Sequence, residues 1–306
     1  MKTNFKLLAM AAVARLAMNS CEKENEMNTG EQKGTPGEFE MGINSITKTT
    51  TADNSYETTF AEGDKVGIFA YNGDTPVATN VCYTLNAEGK WVAQGEGIYA
   101  EEGVSYSYYA YYPYSTDATD VTSVSLSVAT DQTAGYTGSD ALMAKNESVA
   151  AGTTTVDLSN SHAFALAQVT LKGVHATKGS TVTLQNLHPT AKINLNAGTI
   201  GTADGTQGTV AMKACSTNTD AAPFNYRAIV PAQKIAQGDA ILIISSNGKN
   251  YKFTWSKEVS YESAKMRQYN VTLGEGQDPN IEIATGTIQN WEDADPIEGE
   301  AIGEEM

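Results

Sequence analysis

The chain has 306 residues, of which 41% are hydrophobic, so it is long enough for one or two domains with real cores and is not a disordered chain. Its formal net charge is -16, from 36 acidic and 20 basic residues. This charge repels phosphate backbones, and no cluster of lysine and arginine offsets it. The composition therefore argues against nucleic acid as a partner.

The first residues have the pattern of an export signal. Lys2 and Lys6 precede the apolar run 7–14, which is far shorter than the ~20 residues that span a bilayer. Cys21 follows, and the segment resembles a bacterial lipoprotein signal, in which the cysteine becomes the lipidated first residue. We predict that residues 1–20 are removed and that Cys21 is lipidated. The alternatives are a cleavable signal without lipid and a core helix with a buried thiol.

Residues 21–35 are polar and rich in glycine and acid, which is typical of a flexible tether. Their acids Glu22, Glu24 and Glu26 resemble the export tag that sends lipoproteins of Bacteroidetes-type bacteria to the outer face of the outer membrane. We therefore expect an outer-membrane lipoprotein at the cell surface, attached through its lipid.

The first strand is predicted in EFEMGINSI, residues 38–46. Phe39, Met41 and Ile43 alternate with polar or small residues, which is the period of a strand with one apolar face. Lys48 follows in the polar segment TKTTTADNS, which is open to a protease.

The rest of the chain is predicted to be almost entirely strands. Short segments rich in β-branched or aromatic residues recur between turn residues, at 65–71, 81–87, 90–95, 123–128, 181–187, 192–196, 209–214 and 269–273. Asn247-Gly248 separates two apolar runs and predicts a two-residue hairpin turn, followed by the alternating Tyr251, Phe253 and Trp255. Only residues 258–269 have a pattern that allows a helical turn or two.

These strands predict an antiparallel sandwich or barrel architecture, and two such units fit the length. The division is expected near the polar stretch 147–161. Residues 292–306 are strongly acidic without a basic residue and are predicted to form a weakly ordered tail or an edge.

Catalytic and metal motifs are not evident. His162, His175 and His188 have no zinc-site spacing, and no nucleophile elbow or phosphate-binding lysine loop occurs. Cys82 and Cys215 are too far apart in sequence to make a disulfide framework, and the simplest interpretation is two small buried side chains. We predict no cofactor, no metal and no enzymatic activity.

The segment YSYYAYYPY, residues 106–114, is the most unusual stretch. The pattern places Tyr106, Tyr108, Tyr112 and Tyr114 on one face of a strand. Such a face is either part of a core, with hydroxyls at the rim, or a platform that stacks on glycans. We favour the core, because further tyrosines lie on the opposite face and a proline ends the strand.

Several stretches taken together resemble the fimbrillin family of Bacteroidetes-type bacteria, the subunits of type V pili. They are FAEGDKVGIFAY (60–71), YYAYYPYS (108–115), GSDALMAK (138–145), HAFALAQVTLKG (162–173) and IVPAQKIAQGDAILIISSNGKNYKFTW (229–255). The resemblance implies two tandem transthyretin-like β-sandwich domains, which we place at residues 36–158 and 159–291.

The resemblance also implies a mechanism. In such fimbrillins a lipidated precursor reaches the surface, a protease cuts after a basic residue, and the first strand leaves a groove that accepts a strand of the next subunit. Here the displaced strand would contain Phe39, Met41 and Ile43, and the cut would follow Lys48. The family's best known members carry arginine at the position of Lys48, so the resemblance does not identify the protease.

We therefore expect a structural subunit or a tip or accessory adhesin of a surface fimbria. Its partners would be other fimbrial subunits in a homo- or heteropolymer and a glycan or protein on a host or bacterial surface. Two alternatives are a monomeric glycan-binding surface lipoprotein that uses the tyrosine face and a secreted hydrolase.

Overall fold

The fold is all-β, as the sequence predicts. A computed structural model describes residues 35–42, 58–274, 280–284, 292–293 and 301–305. Within these ranges the only helical element is one 3-10 turn at Thr137–Ser139. None of the described residues form a helix that is long and apolar enough to cross a membrane.

Eleven short strands precede residue 163. They are β1 (Thr35–Pro36), β2 (Glu38–Glu40), β3 (Lys65–Asn72), β4 (Thr75–Leu85), β5 (Trp91–Ala93), β6 (Tyr99–Ala100), β7 (Tyr106–Tyr112), β8 (Val124–Ser127), β9 (Leu142–Val149), β10 (Thr155–Asp157) and β11 (Ser161–His162).

Fifteen strands follow. They are β12 (Ala165–Lys172), β13 (Thr181–Leu187), β14 (Thr190–Asn194), β15 (Thr199–Ile200), β16 (Gly208–Ala211), β17 (Lys213–Ala214), β18 (Phe224–Val230), β19 (Gln233–Ile235), β20 (Ala240–Ser246), β21 (Lys249–Trp255), β22 (Val259–Tyr261), β23 (Lys265–Thr272), β24 (Asn280–Ala284), β25 (Glu292–Asp293) and β26 (Ala301–Glu305).

The first part of the chain is built around one six-stranded sheet, in the order β11-β9-β7-β3-β4-β5. Alternate side chains of its central strands point to opposite faces. One face, which includes Ile68 and Tyr108, packs with Phe39 of β2 and Val156 of β10 in a core that we call the first core. The short pairs β1-β6 and β2-β10 form the opposing layer.

The part of the chain after residue 163 is built around two main sheets. One has the order β17-β18-β12-β23-β24, with β25 also paired to β23, and the other has the order β16-β13-β20-β21-β26. Inward residues of both, such as Val169 of β12 and Phe253 of β21, are 0% exposed and belong to one core, which we call the second core. Two hydrogen-bonded sheets around a shared apolar layer are the architecture of a β-sandwich.

The predicted hairpin at Asn247-Gly248 is confirmed. Ser246 of β20 pairs with Lys249 of β21, and the two turn residues have φ values of 52° and 77°. Both angles lie in the left-handed region that a type I′ turn requires and that Asn and Gly adopt at low cost.

The second core extends into the first part of the chain. It contains Tyr111 and Leu126 together with Ile193, and β8 pairs directly with β14 through Leu126↔Ala191. The expected boundary region 147–161 contains the short strands β10 and β11. The division of the chain into domains at residues 158 and 159 stays a prediction.

The helical turn or two that the pattern of residues 258–269 allows does not form. This segment forms β22 and the start of β23, with Ala264 at φ 59° between them. The strand form is favoured because β22 pairs with β19 and β23 pairs with the central strand β12, and tertiary pairing overrides a weak local preference.

The acidic C-terminal segment takes part in the sheets. Residues 301–305 form β26, which pairs with β21 and is the last strand of its sheet. Of the two predicted alternatives for this segment, a sheet edge and a weakly ordered tail, these five residues form the sheet edge. Their register sets Lys252 opposite Glu304.

Candidate functional site

The first strand of the fold lies at the start of the predicted alternating segment. β2 pairs in parallel with β10, so that Phe39 lies opposite Val156. Immediately before it, β1 pairs with β6, and the amide of Gly37 donates to the carbonyl oxygen of Ile98 at 2.9 Å. The strand and the two residues before it are therefore held by two different segments that are distant in sequence.

Phe39 is the apolar anchor of this strand. It is 5% exposed, and its ring meets those of Tyr83 and Tyr108 edge to face at centroid distances of 5.0 and 5.4 Å. Burial of such a side chain stabilises by about 1.5–3 kcal/mol, and each edge-to-face pair adds about 0.5–1.5 kcal/mol. Met41 is half-buried and packs on the same first core, whereas Ile43 lies outside the described residues.

The backbone beyond β2 is fixed to the segment that follows β10. The amide of Leu158 donates to Glu40 O at 2.8 Å, and the amide of Asn160 donates to Gly42 O at 2.7 Å. The Asn160 side chain is 0% exposed, and its amide donates to both Gly42 O and Leu158 O at 3.1 and 2.9 Å. Asn160 thus secures one edge of the first strand up to residue 42.

A cavity of about 710 Å³ lies on the other edge of the same strand. We call it the side cleft, and it is lined by Glu38, Phe39, Glu40, Met41, Gly42, Thr59, Phe60, Leu85, Gly89, Lys90, Trp91, Val92 and Asp157. Phe60 packs edge to face on Trp91 at 5.0 Å and on Tyr112 at 5.5 Å. The cleft is therefore bordered by β2 on one side and by β5 on the other.

The tyrosine strand lies mostly inside the protein. Tyr106 and Tyr108 are 5% and 2% exposed in the first core, and Tyr111 on the opposite face is 0% exposed in the second core. Tyr112 is half-buried beside Phe60. In this conformation Tyr106 and Tyr108 present no ring face to a ligand, as the core interpretation predicts.

Tyr114 differs from the predicted pattern. It follows the end of β7 at Tyr112, so it does not continue the alternation, and it packs on the second core rather than beside Tyr106 and Tyr108. The four tyrosines of the predicted platform therefore do not share one surface.

Burial also sets the chemistry of these phenols. Desolvation, together with the nearby tyrosines Tyr106 and Tyr83, raises the pKa of Tyr108 to about 12. Desolvation likewise raises the pKa of Tyr111 to about 12, against the hydrogen bond that its phenol oxygen accepts from the amide of Ser115 at 3.1 Å. The phenols are therefore neutral structural groups.

The remaining predicted processing sites lie outside the described residues. These are the signal 1–20, the lipidation site Cys21 and the cleavage site Lys48. Their roles stay predictions.

The three histidines are placed apart in the fold. His162 is buried in β11, with Nδ1 2.9 Å from Asp140 Oδ1, whereas Nδ1 of His188 lies 2.8 Å from Gly205 O. Within the described ranges, no group of three or more His, Cys, Asp or Glu side chains has the geometry of a metal site. Cys215 is buried, as the sequence predicts, whereas Cys82 is only partly buried, and the two do not form a disulfide.

Sequence reasoning missed two contributors to this site. Asn160 has no motif that marks it, because its role depends on meeting Gly42 across 118 positions of sequence. Trp91 lies in a segment that was predicted as a strand, but the pattern of three strand residues does not reveal that its ring borders a cleft with Phe60.

The family of the chain follows from its sequence profile. The profile of the family described as fimbrillin-like matches residues 47–291, which is most of the chain. The chain belongs to the fimbrillin-like family. This confirms the resemblance that the five motifs indicate, and the matched region begins just after the predicted first strand.

Solved structures share the fold of this fimbrillin-like chain. A proposed cell adhesion protein from Bacteroides uniformis is 20% identical with a TM-score of 0.60, and the match covers 82% of this chain and 98% of that one. A second such protein, from Bacteroides ovatus, is 19% identical with a TM-score of 0.64 over 86% of this chain and 100% of that one.

A fimbrial protein from Bacteroides vulgatus is 14% identical with a TM-score of 0.50 over 81% of this chain and 98% of that one. At these identities the likeness is one of fold. No curated protein matches the sequence.

Proposed function

We propose that this fimbrillin-like chain is a structural subunit, or a tip or accessory adhesin, of a cell-surface fimbria. Membership of the family over residues 47–291 supports a fimbrial role. The all-β fold, shared with fimbrial and proposed adhesion proteins, agrees with it. The chain would act by assembly and adhesion, without catalysis.

The observation that carries the proposal is the way in which the first strand is held. Phe39 of β2 fills a pocket between Tyr83 and Tyr108, and its backbone pairing to β10 is short. If residues 21–48 leave after cleavage at Lys48, that pocket and the edge of β10 become exposed. Exposed apolar surface next to unpaired backbone groups favours the addition of another strand.

The donor strand is the second element of assembly. β24 pairs with β23 over five residues, so residues 280–284 are already engaged in the chain's own sheet. β26 in turn forms the edge beside β21. A stalk subunit would have to release one of these strands, whereas a tip subunit needs only the acceptor groove, and both roles remain within the proposal.

Export as a lipoprotein completes the proposed sequence of events. Lipidation of Cys21 would hold the precursor at the outer membrane, and the acids after it would direct it to the cell surface. Cleavage after Lys48 would then separate the folded chain from the lipid and open the groove in one step.

Limited proteolysis with a lysine-specific protease tests this function. We expect the cut precursor to form oligomers and the Lys48→Ala precursor to stay monomeric under the same treatment. In cells, antibody labelling in electron microscopy should locate the wild-type chain on fibres. The proposal fails if the cut protein remains monomeric and Lys48→Ala cells still assemble it into fibres.

A further inference from the structure

The side cleft borders a strand edge that has no partner strand among the described residues. β2 is paired only with β10, and Glu40 and Gly42 direct their carbonyls to that side, to the amides of Leu158 and Asn160. Backbone groups of successive strand residues point to alternate edges, so those of Phe39 and Met41 point toward the cleft. The first strand thus offers backbone donors and acceptors on its cleft side.

The opposite wall of the cleft is a second open edge. β5 is the terminal strand of the six-stranded sheet, and Gln94 directs its amide inward to Cys82 O at 2.8 Å. Between the two edges, Phe60 and Trp91 are only partly covered. As far as the described residues show, the layer that contains β2 ends before it covers the edge of the opposite sheet, and the gap has the width of a strand.

The rim of the gap is acidic. Glu38, Glu40 and Asp157 are exposed, and Lys90 is the single basic residue that lines the cleft. Asp157 lies directly opposite Glu40 in the β2-β10 register. Like charges on residues that lie opposite each other destabilise a pair of strands. A lysine or arginine placed beside Glu40 and Asp157 therefore reduces the repulsion between them.

We propose that the side cleft of the uncut protein binds an extended strand of another chain that carries lysine or arginine on its outward face. Backbone hydrogen bonds to β2 and apolar contacts with Phe60 and Trp91 would provide the attachment. The acids of the rim would select its charge. Because Glu38 and Glu40 belong to the strand that cleavage removes, this binding precedes the exchange of strands.

The charge of the rim also indicates which chain supplies the strand. Residues 292–306 of this chain are acidic without a basic residue, so the tail of a second copy is repelled by the rim. The partner is instead a different protein that supplies a strand with lysine or arginine on its outward face. This inference rests on the proposed fimbrial role in one respect: in a fimbria, the strand comes from a neighbouring subunit.

Peptide binding to the full-length, uncut protein tests the proposal. One fluorescent seven-residue peptide alternates valine with lysine, and its counterpart alternates valine with glutamate. We expect the lysine peptide to bind at least tenfold more tightly, as measured by fluorescence anisotropy. The double variant Glu38→Lys/Glu40→Lys should abolish or reverse this preference.

The matched control is Asp74→Lys/Asp239→Lys, which changes the net charge equally at two exposed turns away from the cleft. It should keep the wild-type preference. A second variant, Trp91→Ala, should weaken both peptides without changing their order. The proposal is overturned if wild-type protein binds both peptides equally, if it binds neither, or if the control variant loses the preference as fully as the rim variant.

Two further measurements separate this proposal from the proposed function. If only the Lys48-cleaved protein binds the lysine peptide, strand exchange survives and the docking step is wrong. If the uncut protein instead retains an oligosaccharide in a Trp91-dependent manner, the occupant is a sugar and the strand proposal is wrong.

Discussion

Nδ1 of His162 lies 2.9 Å from Oδ1 of Asp140, and both side chains are almost completely buried, at 3% and 1% exposure. His162 is in β11, immediately before the segment leads into the central strand β12, and Asp140 follows the 3-10 turn. The amide of Ala163 also donates to Ala141 O at 2.7 Å. The pair thus fixes the point where the chain passes from the first sheet to the second part of the fold.

Replacement of His162 should destabilise the protein strongly. In His162→Phe the buried side chain of Asp140 loses this hydrogen-bond partner, which costs about 1–3 kcal/mol. Urea unfolding measures the loss. The control His175→Gln, at a half-buried turn position, should cost less than about 0.5 kcal/mol. Equal losses for the two variants would contradict the assigned role.

Truncation of the apolar anchor should loosen the first strand. Phe39→Ala removes a buried ring and its two edge-to-face contacts, so we expect a loss of about 3–5 kcal/mol in the free energy of unfolding. The exposed Val77→Ala in β4 is the control, since its side chain is 48% exposed. If cleavage after Lys48 releases the strand, the two cut proteins should differ far less than the two precursors do.

Gly67 should not tolerate a side chain. It lies opposite Tyr111 in the β3-β7 pairing, and a Cβ at this position would meet the Tyr111 ring and the side chain of Asn80. Gly67→Ala should therefore cost about 1–3 kcal/mol through overpacking. Gly135→Ala, where no atom lies within 4 Å of the added Cβ, is the comparison, and similar thermal stability of both variants would rule out the overpacking argument.

The hairpin turn should be sensitive at Gly248. Its φ of 77° is strained for alanine, so Gly248→Ala should destabilise by about 1–2 kcal/mol. Gly138→Ala, in the 3-10 turn and without a positive φ, should have a smaller effect. Chemical denaturation of both variants checks this, and a harmless Gly248→Ala would argue against the type I′ geometry.

Alkaline pH should unfold the protein cooperatively. The pKa values of Tyr108, Tyr111 and Tyr261 are raised to about 12, so the folded state keeps protons that the unfolded state releases near pH 10. Stability from this source is complete below about pH 10 and is lost as the pH rises through about 12. Tyrosinate absorbance should therefore rise together with loss of near-ultraviolet circular dichroism, and Tyr108→Phe should make the loss shallower. Ionisation of the buried phenols in a still-native protein would contradict this expectation.

The sequence predicts the individual strands and turns of this fold better than it predicts which strands pair with each other. The alternation of Tyr251, Phe253 and Trp255 and the Asn247-Gly248 turn are local patterns, and the structure confirms both. The pairing of β8 with β14 depends on which distant residues meet, which no local period encodes. For the same reason residues 258–269, whose local pattern also allows a helical turn, form strands.

The candidate site divides in the same way. Phe39 is identifiable because an alternating segment with one apolar face predicts a buried side chain. Asn160, Trp91 and the side cleft are not, because each depends on contacts between segments that the sequence separates widely. Tyr114 is misplaced because the period of a strand was extended past the end of β7.

The distance between Gly42 and Asn160 along the chain, 118 positions, has a consequence for how the protein reaches its native state. The hairpin of β20 and β21 closes across two residues, whereas β2 has no partner until residues 155–157 are in place. Contacts between distant residues form slowly, because the entropy of closing the loop is lost before the contacts stabilise it. The strand β2, although it lies near the start of the chain, should then be among the last segments to become protected from hydrogen exchange. The pocket for Phe39 stays vacant through most of folding.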